Sequence, residues 1–430
     1  MKSFFTAFGF FTVFGVGLVS HLGAASAADS RLEQLSKITK TMAVVEKYYV
    51  DDLNFTDISN KTISGLLSNL DAHSSYLDER AFKDMQIATS GEFGGLGITI
   101  GMKDGAVSVI APIDDTPAAK AGIKAGDVIL RIDGQSTIGM SIDDAVNKMR
   151  GKPKTGVDIT IVRKGEKKPL EFHIIRDTIK VQSVSAKLVP SENILYLRVS
   201  TFDANVEKKA REFIEKNKSV RGIVLDLRNN PGGLLNQAVG LTNLFVSDGV
   251  IVSQKGRDES NNEAHKADPK KKVTDLPLAV LINEGSASAS EIVSGALQDF
   301  KRAVVIGQKS FGKGSVQVVM PVDDKEAIRL TVARYYLPSG RTIQAVGVEP
   351  DVVVYAGKVP NNEENNLTLK ESDLKAHLQS ELEKVEGKKE SKKDDKNIIT
   401  AAQIYEDIQL KTAIDSIKII EKISQKGEQK

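Results

Sequence analysis

Cysteine is absent from the 430 residues, and histidine occurs five times, at His21, His73, His173, His265 and His377. Without thiols the chain forms no disulfides, offers no thiolate nucleophile and cannot build a cysteine-ligated zinc site. No two histidines stand at helical ligand spacing, so no metal is expected. The same scarcity weakens a histidine-based hydrolase triad. His21 falls in an apolar leader, His173 in a strand pattern and His265 in a charged loop, while His73 and His377 belong to helical or turn segments. An excess of one charge is lacking too: 59 Lys and Arg against 57 Asp and Glu leave +2. That balance supplies no field to attract nucleic acid. The lysine-rich stretches 266–272 and 388–396 are interleaved with acids, lack aromatics and read as solvated loops.

Long apolar runs are also missing, apart from residues 4–19, which follow Met1-Lys-Ser and precede Ala25-Ser-Ala27. A basic start, a short apolar run and an A-x-A site predict a secretory signal peptide over 1–27 and a periplasmic mature protein. The run is short for a membrane span; if uncleaved, it would keep the protein at the inner membrane. The remaining chain suffices for two or three domains.

The chemistry concentrates between residues 278 and 317. Residues 278–282 read as a buried strand, and Ile292, Ala296, Leu297 and Phe300 carry helical spacing. Asn283-Glu-Gly-Ser-Ala-Ser-Ala-Ser-Glu291 connects them and places Ser288 at a strand-to-helix turn, where unpaired helix-start amides can stabilise an oxyanion. The same residues match a capping box, in which Ser288 and Glu291 satisfy orphan amides without any chemistry. Further on, Lys313 lies between two glycines in Ser310-Phe-Gly-Lys-Gly-Ser-Val-Gln317. If a strand begins at Ser315, Lys313 and Gln317 project from one face, and Gln317 is placed to orient the amine. A lysine acts as a base only when neutral, a form that burial favours provided no carboxylate is near. Residues 308–320 contain no acid. A phosphate loop would need Lys followed by Ser or Thr, which this segment lacks.

Read together, these segments resemble the carboxyl-terminal processing peptidases, or tail-specific proteases, which are extracytoplasmic PDZ-containing serine peptidases. The resemblance rests on Leu70-Asp-Ala-His-Ser-Ser-Tyr76, Gly94-Gly-Leu-Gly-Ile98, Asp226-Leu-Arg-Asn-Asn-Pro-Gly-Gly233, Gly285-Ser-Ala-Ser-Ala-Ser-Glu291, Phe311-Gly-Lys-Gly-Ser-Val-Gln317 and Tyr335-Tyr-Leu-Pro-Ser-Gly-Arg341. It implies Ser288 as nucleophile, Lys313 as base and Gln317 as the residue orienting that base, with Ser286 and Ser290 as weaker candidates. It also implies an acyl-enzyme, no cofactor, and an oxyanion hole made by the amide of Ala289 with one from Gly232 or Gly233. Asp226 and Arg228 are expected to pair or to hold the turn.

Gly94 to Ile98, with Thr116-Pro-Ala-Ala-Lys-Ala-Gly122 and Gly126-Asp-Val-Ile-Leu-Arg-Ile-Asp-Gly134, is similar to a PDZ domain. Gly94, Gly95, Leu96, Gly97 and Ile98 would receive a peptide's terminal carboxylate and extended backbone. Residues 141–149 would form an amphipathic wall with Ile142, Val146 and Met149 inward. Arg150, at its end, either meets the helix dipole or, as in some relatives, couples peptide binding to activation.

The expected fold is α+β and multidomain, a layered α/β peptidase core with an inserted PDZ domain and helical N- and C-terminal regions. The expected boundaries are a signal peptide at 1–27, an N-terminal helical region at 28–83, PDZ at 84–178, the peptidase core at 179–355 and a C-terminal linker and helices at 356–430. Residues 256–274, 361–366 and 387–396 read as flexible, and 398–423 as amphipathic helix. The expected function is exported serine endopeptidase acting on proteins or peptides with accessible C-terminal tails, with a possible homodimer. A noncatalytic PDZ adaptor or chaperone, and an ester hydrolase using the same serine, are the alternatives.

Overall fold

The computed structural model describes residues 17–103, 105–113, 115–360 and 397–427. Residues 4–16 of the apolar leader and the segments 361–366 and 387–396 lie outside them. Among the described residues no helix is long and apolar enough to cross a membrane. The described residues form two compact units, one within 1–79 and 317–331 and the other within 80–316 and 332–430.

In the first unit, helix Gly17–Tyr48 is followed by helix Phe55–Ser68, whose N-cap Asn54 accepts the amide of Asp57 and which buries Ile58 and Leu67. The helical spacing of Leu32, Leu35 and Ile38 does form a helix, but all three side chains are exposed. Not all of the N-terminal region is helical: Ser75–Leu77 is a strand, with Ser75 opposite Arg329 in an antiparallel pair.

The second unit holds two six-stranded sheets. One is antiparallel and runs in the order Ile98–Lys103, Ala106–Pro112, Val128–Ile132, Gly156–Val162, Leu170–Ile175, with Gln135–Ser136 beside Val128–Ile132. Along Gly156–Val162 the side chains of Val157, Ile159 and Ile161 are buried while Asp158 is exposed, the two-residue period of a half-covered sheet. Helix Ile142–Met149, capped by Ser141, closes this core with Ala145 and Met149.

The larger sheet follows the order Val184–Val189, Ile194–Val199, Gly222–Asp226, Leu278–Ile282, Val304–Gly307, Val352–Val353. All its pairs after the first are parallel. Both faces are covered, as parallel strands require. Ile223, Leu225, Leu278, Val280 and Ile282 meet helices Val206–Lys216, Leu235–Asn243 and Ala289–Asp299 on one face. Val224, Ala279 and Leu281 meet Leu410, Ala413, Ile414 and Ile417 on the other. The C-terminal amphipathic segment is therefore two helices, Ala401–Tyr405 and Ile408–Gly427.

Residues 256–274 are a correction to the flexible reading. Glu263–Lys266 pairs with Val250–Gly256, so His265 lies in a strand rather than a loop. The Asn243 side chain brackets Asp268, accepting its amide at 2.8 Å and donating to its carbonyl at 2.9 Å. Polar composition concealed this order because a buried amide side chain, and not an apolar period, ties the segment down.

Candidate active site

Strands Gly222–Asp226 and Leu278–Ile282 are parallel neighbours, so the turns leaving their carboxyl ends emerge side by side. That edge is where parallel α/β sheets place ligands. The second turn carries Ser288, whose φ of 53° and ψ of −110° lie outside the ordinary regions for a side-chain-bearing residue. Such a conformation costs about 1–3 kcal/mol and persists only where the surroundings impose it. Here they do: Ser286 Oγ donates to Leu227 O at 2.8 Å, Ala287 N to Asn230 O at 2.9 Å and Ser290 Oγ to Asn230 O at 2.9 Å. Ser286 and Ser290, fully buried and engaged in these bonds, are braces for the turn.

Glu291 joins this turn to the lysine loop. Its Oε2 accepts the amides of Ser288 at 2.7 Å and Lys313 at 2.9 Å, while Oε1 accepts Ser310 Oγ at 2.6 Å and the amide of Gly312 at 2.7 Å. The Glu291 half of the capping box is thus present, and the same carboxyl also holds the loop that carries Lys313. The absence of acids in 308–320 proved a poor guide to that loop's surroundings, since folding brings a wholly buried acid to its backbone amides. Gly314 packs with its α-carbon against the Gln344 backbone, where a Cβ would stand 2.5 Å from the Gln344 nitrogen. Only glycine fits such an approach.

The first turn runs over the oxyanion candidates. A Cβ on Gly232 would lie 2.9 Å from Ser288 Cβ and 3.0 Å from the amide nitrogen of Ala289, so this glycine backs directly onto the serine. The amide of Gly232 donates to Asn230 Oδ1 at 2.9 Å. An oxyanion donor at Gly232 requires that bond to open. Asp226 and Arg228 do pair, at 2.6 Å, and Tyr196 donates to Asp226 at 2.6 Å. Burial and the neighbouring Asp226 push the Tyr196 hydroxyl above its ordinary range. Burial alone would lower the Arg228 guanidinium, but Asp226 and Asp407 outweigh it and raise it above its usual value.

Gln317 belongs to the first unit, in strand Ser315–Pro321. There its Nε2 donates to Thr331 Oγ1 at 3.2 Å, and Thr331 Oγ1 donates to Asp71 Oδ1 at 3.1 Å. Asp71 also accepts the amides of His73 and Ser74 and the Ser74 hydroxyl. Sequence reasoning singled out the Leu70 to Tyr76 motif without a role; it braces the glutamine through Thr331.

In the antiparallel-sheet region, Gly94 and Gly95 lie in strand Glu92–Gly95, paired with Asp177–Lys180. Leu96, Gly97 and Ile98 then line a groove of about 180 Å³ with Ile142, Val146 and Met149, and Arg150 stands at its end. Arg150 does not serve the helix dipole. It pairs with Asp84 at 2.7 Å and lies 5.0 Å from the Phe93 ring. Arg176, which the sequence reading passed over, takes the dipole role instead, donating to Met149 O at 3.0 Å and Lys148 O at 2.7 Å.

With this geometry in hand, residues 193–354 match the family model for peptidase family S41 and residues 108–163 match that for a PDZ domain. The chain is 43% identical over 361 residues to the carboxy-terminal-processing protease of Bartonella bacilliformis, covering 83% of each. It is 35% identical to the carboxy-terminal processing protease CtpA of Bacillus subtilis, over 76% of this chain and 70% of that one. Among solved structures, the photosystem II D1 C-terminal processing protease aligns over 74% of this chain and 92% of its own, at 28% identity and a TM-score of 0.43.

Proposed function

The chain belongs to the carboxy-terminal-processing proteases of peptidase family S41 and is a serine peptidase with a PDZ domain, and from that premise we propose that it cleaves protein tails by a Ser288/Lys313 dyad. In the proposed reaction Ser288 Oγ attacks the scissile carbonyl while its proton passes to the neutral Lys313 amine. The oxyanion is held by the amide of Ala289 and one from the Gly232-Gly233 turn. Collapse breaks the C–N bond, the lysine returns the proton to the leaving amine, and water, deprotonated by the same lysine, hydrolyses the acyl-enzyme. Gln317 orients the base.

One observation carries this reading: a single oxygen of Glu291 accepts the amides of both Ser288 and Lys313, which keeps the two backbones within two hydrogen bonds of each other. Digestion of a peptide with a free carboxyl end by native protein, Ser288→Ala and Lys313→Ala tests it. Each variant should lose activity by about a thousandfold or more. Equal cleavage by all three would remove the dyad, and no cleavage by native protein would favour the adaptor reading.

Substrate tails are proposed to enter the groove between Leu96–Ile98 and the helix carrying Val146, with Arg150 reporting occupancy. Export is proposed from the leader, and a homodimer from the uncovered Leu32, Leu35 and Ile38 face. The intact mass of protein recovered from the cell envelope checks removal of residues 1–27, and sedimentation equilibrium checks the dimer. A full-length mass or a monomer would reject the corresponding proposal.

A further inference from the structure

The proposed reaction uses neither Asp226 nor Arg228, yet the chain surrounds this pair with ligands from distant segments. Asp226 is wholly buried at the end of its strand, and its oxygens receive the Arg228 side chain, the Arg228 amide at 2.9 Å and the Tyr196 hydroxyl. Arg228 then reaches across to the start of helix Ile408–Gly427. Its Nη1 donates to Asp407 Oδ1 at 3.1 Å and to Gln409 Oε1 at 2.9 Å, and its Nη2 stands 2.9 Å from Asp407 Oδ2. Gln409 is itself buried and anchored, donating to Val354 O at 2.7 Å.

The guanidinium is thus held on two sides, and the chain leaves it straight into the glycine turn. Asn229, next in line, adopts a left-handed φ of 54° and exchanges hydrogen bonds with the Asn283 side chain, giving its amide at 2.8 Å and accepting at 2.8 Å. The Asn230 carbonyl then receives Ala287 N and Ser290 Oγ on either side of Ser288. A continuous set of bonds therefore runs from residues 407 and 409, through Arg228, to the turn behind the serine. A helix whose task was only to cover the sheet would need its apolar face, which Leu410, Ala413, Ile414 and Ile417 already supply.

We propose that Asp407 and Gln409 are positioning residues for the peptidase site, acting through Arg228 to fix the turn that carries Gly232 and Gly233. The proposal rests on the assignment of Ser288 as nucleophile. A donor displaced by a fraction of an ångström still binds substrate but stabilises the transition state less well, so the effect falls on kcat.

Asp407 also caps its helix, accepting the amide of Leu410 at 3.1 Å. Serine caps equally well but is too short to reach Arg228, and methionine has nearly the shape of glutamine. The double variant Asp407→Ser with Gln409→Met therefore keeps the cap, the helix face and the Asp226–Arg228 pair. Steady-state kinetics on a tail peptide and melting curves are compared for native protein, this variant, Asp407→Asn and Ser288→Ala. The double variant should lose about ten- to a hundredfold in kcat at unchanged KM, measured well below its melting temperature, which loss of the acceptors of Arg228 and of the donor to Val354 lowers by several degrees. Asp407→Asn, retaining the cap and one acceptor, should fall between. With Ser288→Ala inactive, native kcat in the double variant overturns the positioning role, and so does a kcat loss that disappears at an assay temperature where the variant is fully folded. An active Ser288→Ala overturns the site assignment and the proposal with it.

Discussion

Glu291 accepts four donors on two oxygens, three of them backbone amides and one a hydroxyl. Glutamine in its place would aim an NH₂ at two of those donors inside a wholly buried site. Leaving buried donors unpaired costs about 1–3 kcal/mol each. Glu291→Gln should lower stability by about 3 kcal/mol and kcat by about a hundredfold, read from urea unfolding and peptide hydrolysis; native kcat would show that the clamp does not set the site. Ser288 and Lys313 stood out as candidates in the chain because each lies in a short motif of small residues. The second duty of Glu291 was not, since its bonds to Ser310, Gly312 and Lys313 span the gap between a helix and a loop. A glutamate amid the buried small and apolar residues of helix Ala289–Asp299 was the available hint.

The bracing of Gln317 belongs to a turn rather than to one side chain. Burial alone would push the Asp71 carboxyl up, but bonds from the Ser74 hydroxyl, the amides of His73 and Ser74, and the Thr331 hydroxyl outweigh it and hold the pKa at about 2, against an ordinary 3.8. A carboxyl whose folded value is depressed contributes stability fully above its unfolded value and loses it as pH falls through the folded value. Native protein should therefore exceed Asp71→Asn in stability by about 1 kcal/mol at neutral pH. That difference should shrink between pH 3.8 and about 2. Urea midpoints measured across that window check it, and a difference independent of pH would count against the bracing. Strand Leu278–Ile282 of the larger sheet was readable as a short continuous apolar run and the helix after it from its helical spacing. Strand Ser75–Leu77 and the ordered 256–274 segment were not, because pairing with Ala327–Tyr336 and Val250–Gly256 defines them and their own pattern does not.

At the scale of the whole molecule, the proposed coupling of peptide capture to hydrolysis is probed at the Arg150–Asp84 pair. Its side chains are 28% and 49% exposed, so the pair is worth at most about 1 kcal/mol and can be displaced by a ligand. Asp84→Asn should raise the unstimulated hydrolysis rate about two- to fivefold, while Arg150→Ala should abolish stimulation by a separate tail peptide. Both are read by titrating that peptide against a reporter substrate, and a native-like response in Arg150→Ala would end the coupling role.

Order along the chain sufficed to assign the family, the peptidase class and the candidate serine and lysine. These depend on residue types and short spacings, which survive in one dimension as motifs. Folding was needed to reveal that Glu291 ties the serine to the lysine loop, that Asp71 supports Gln317 through Thr331, and that residues 407 and 409 reach Arg228. Each of these is a hydrogen bond between segments far apart along the backbone, and such bonds leave no periodic trace in composition or spacing because their partners meet only when the sheet and its helices have packed.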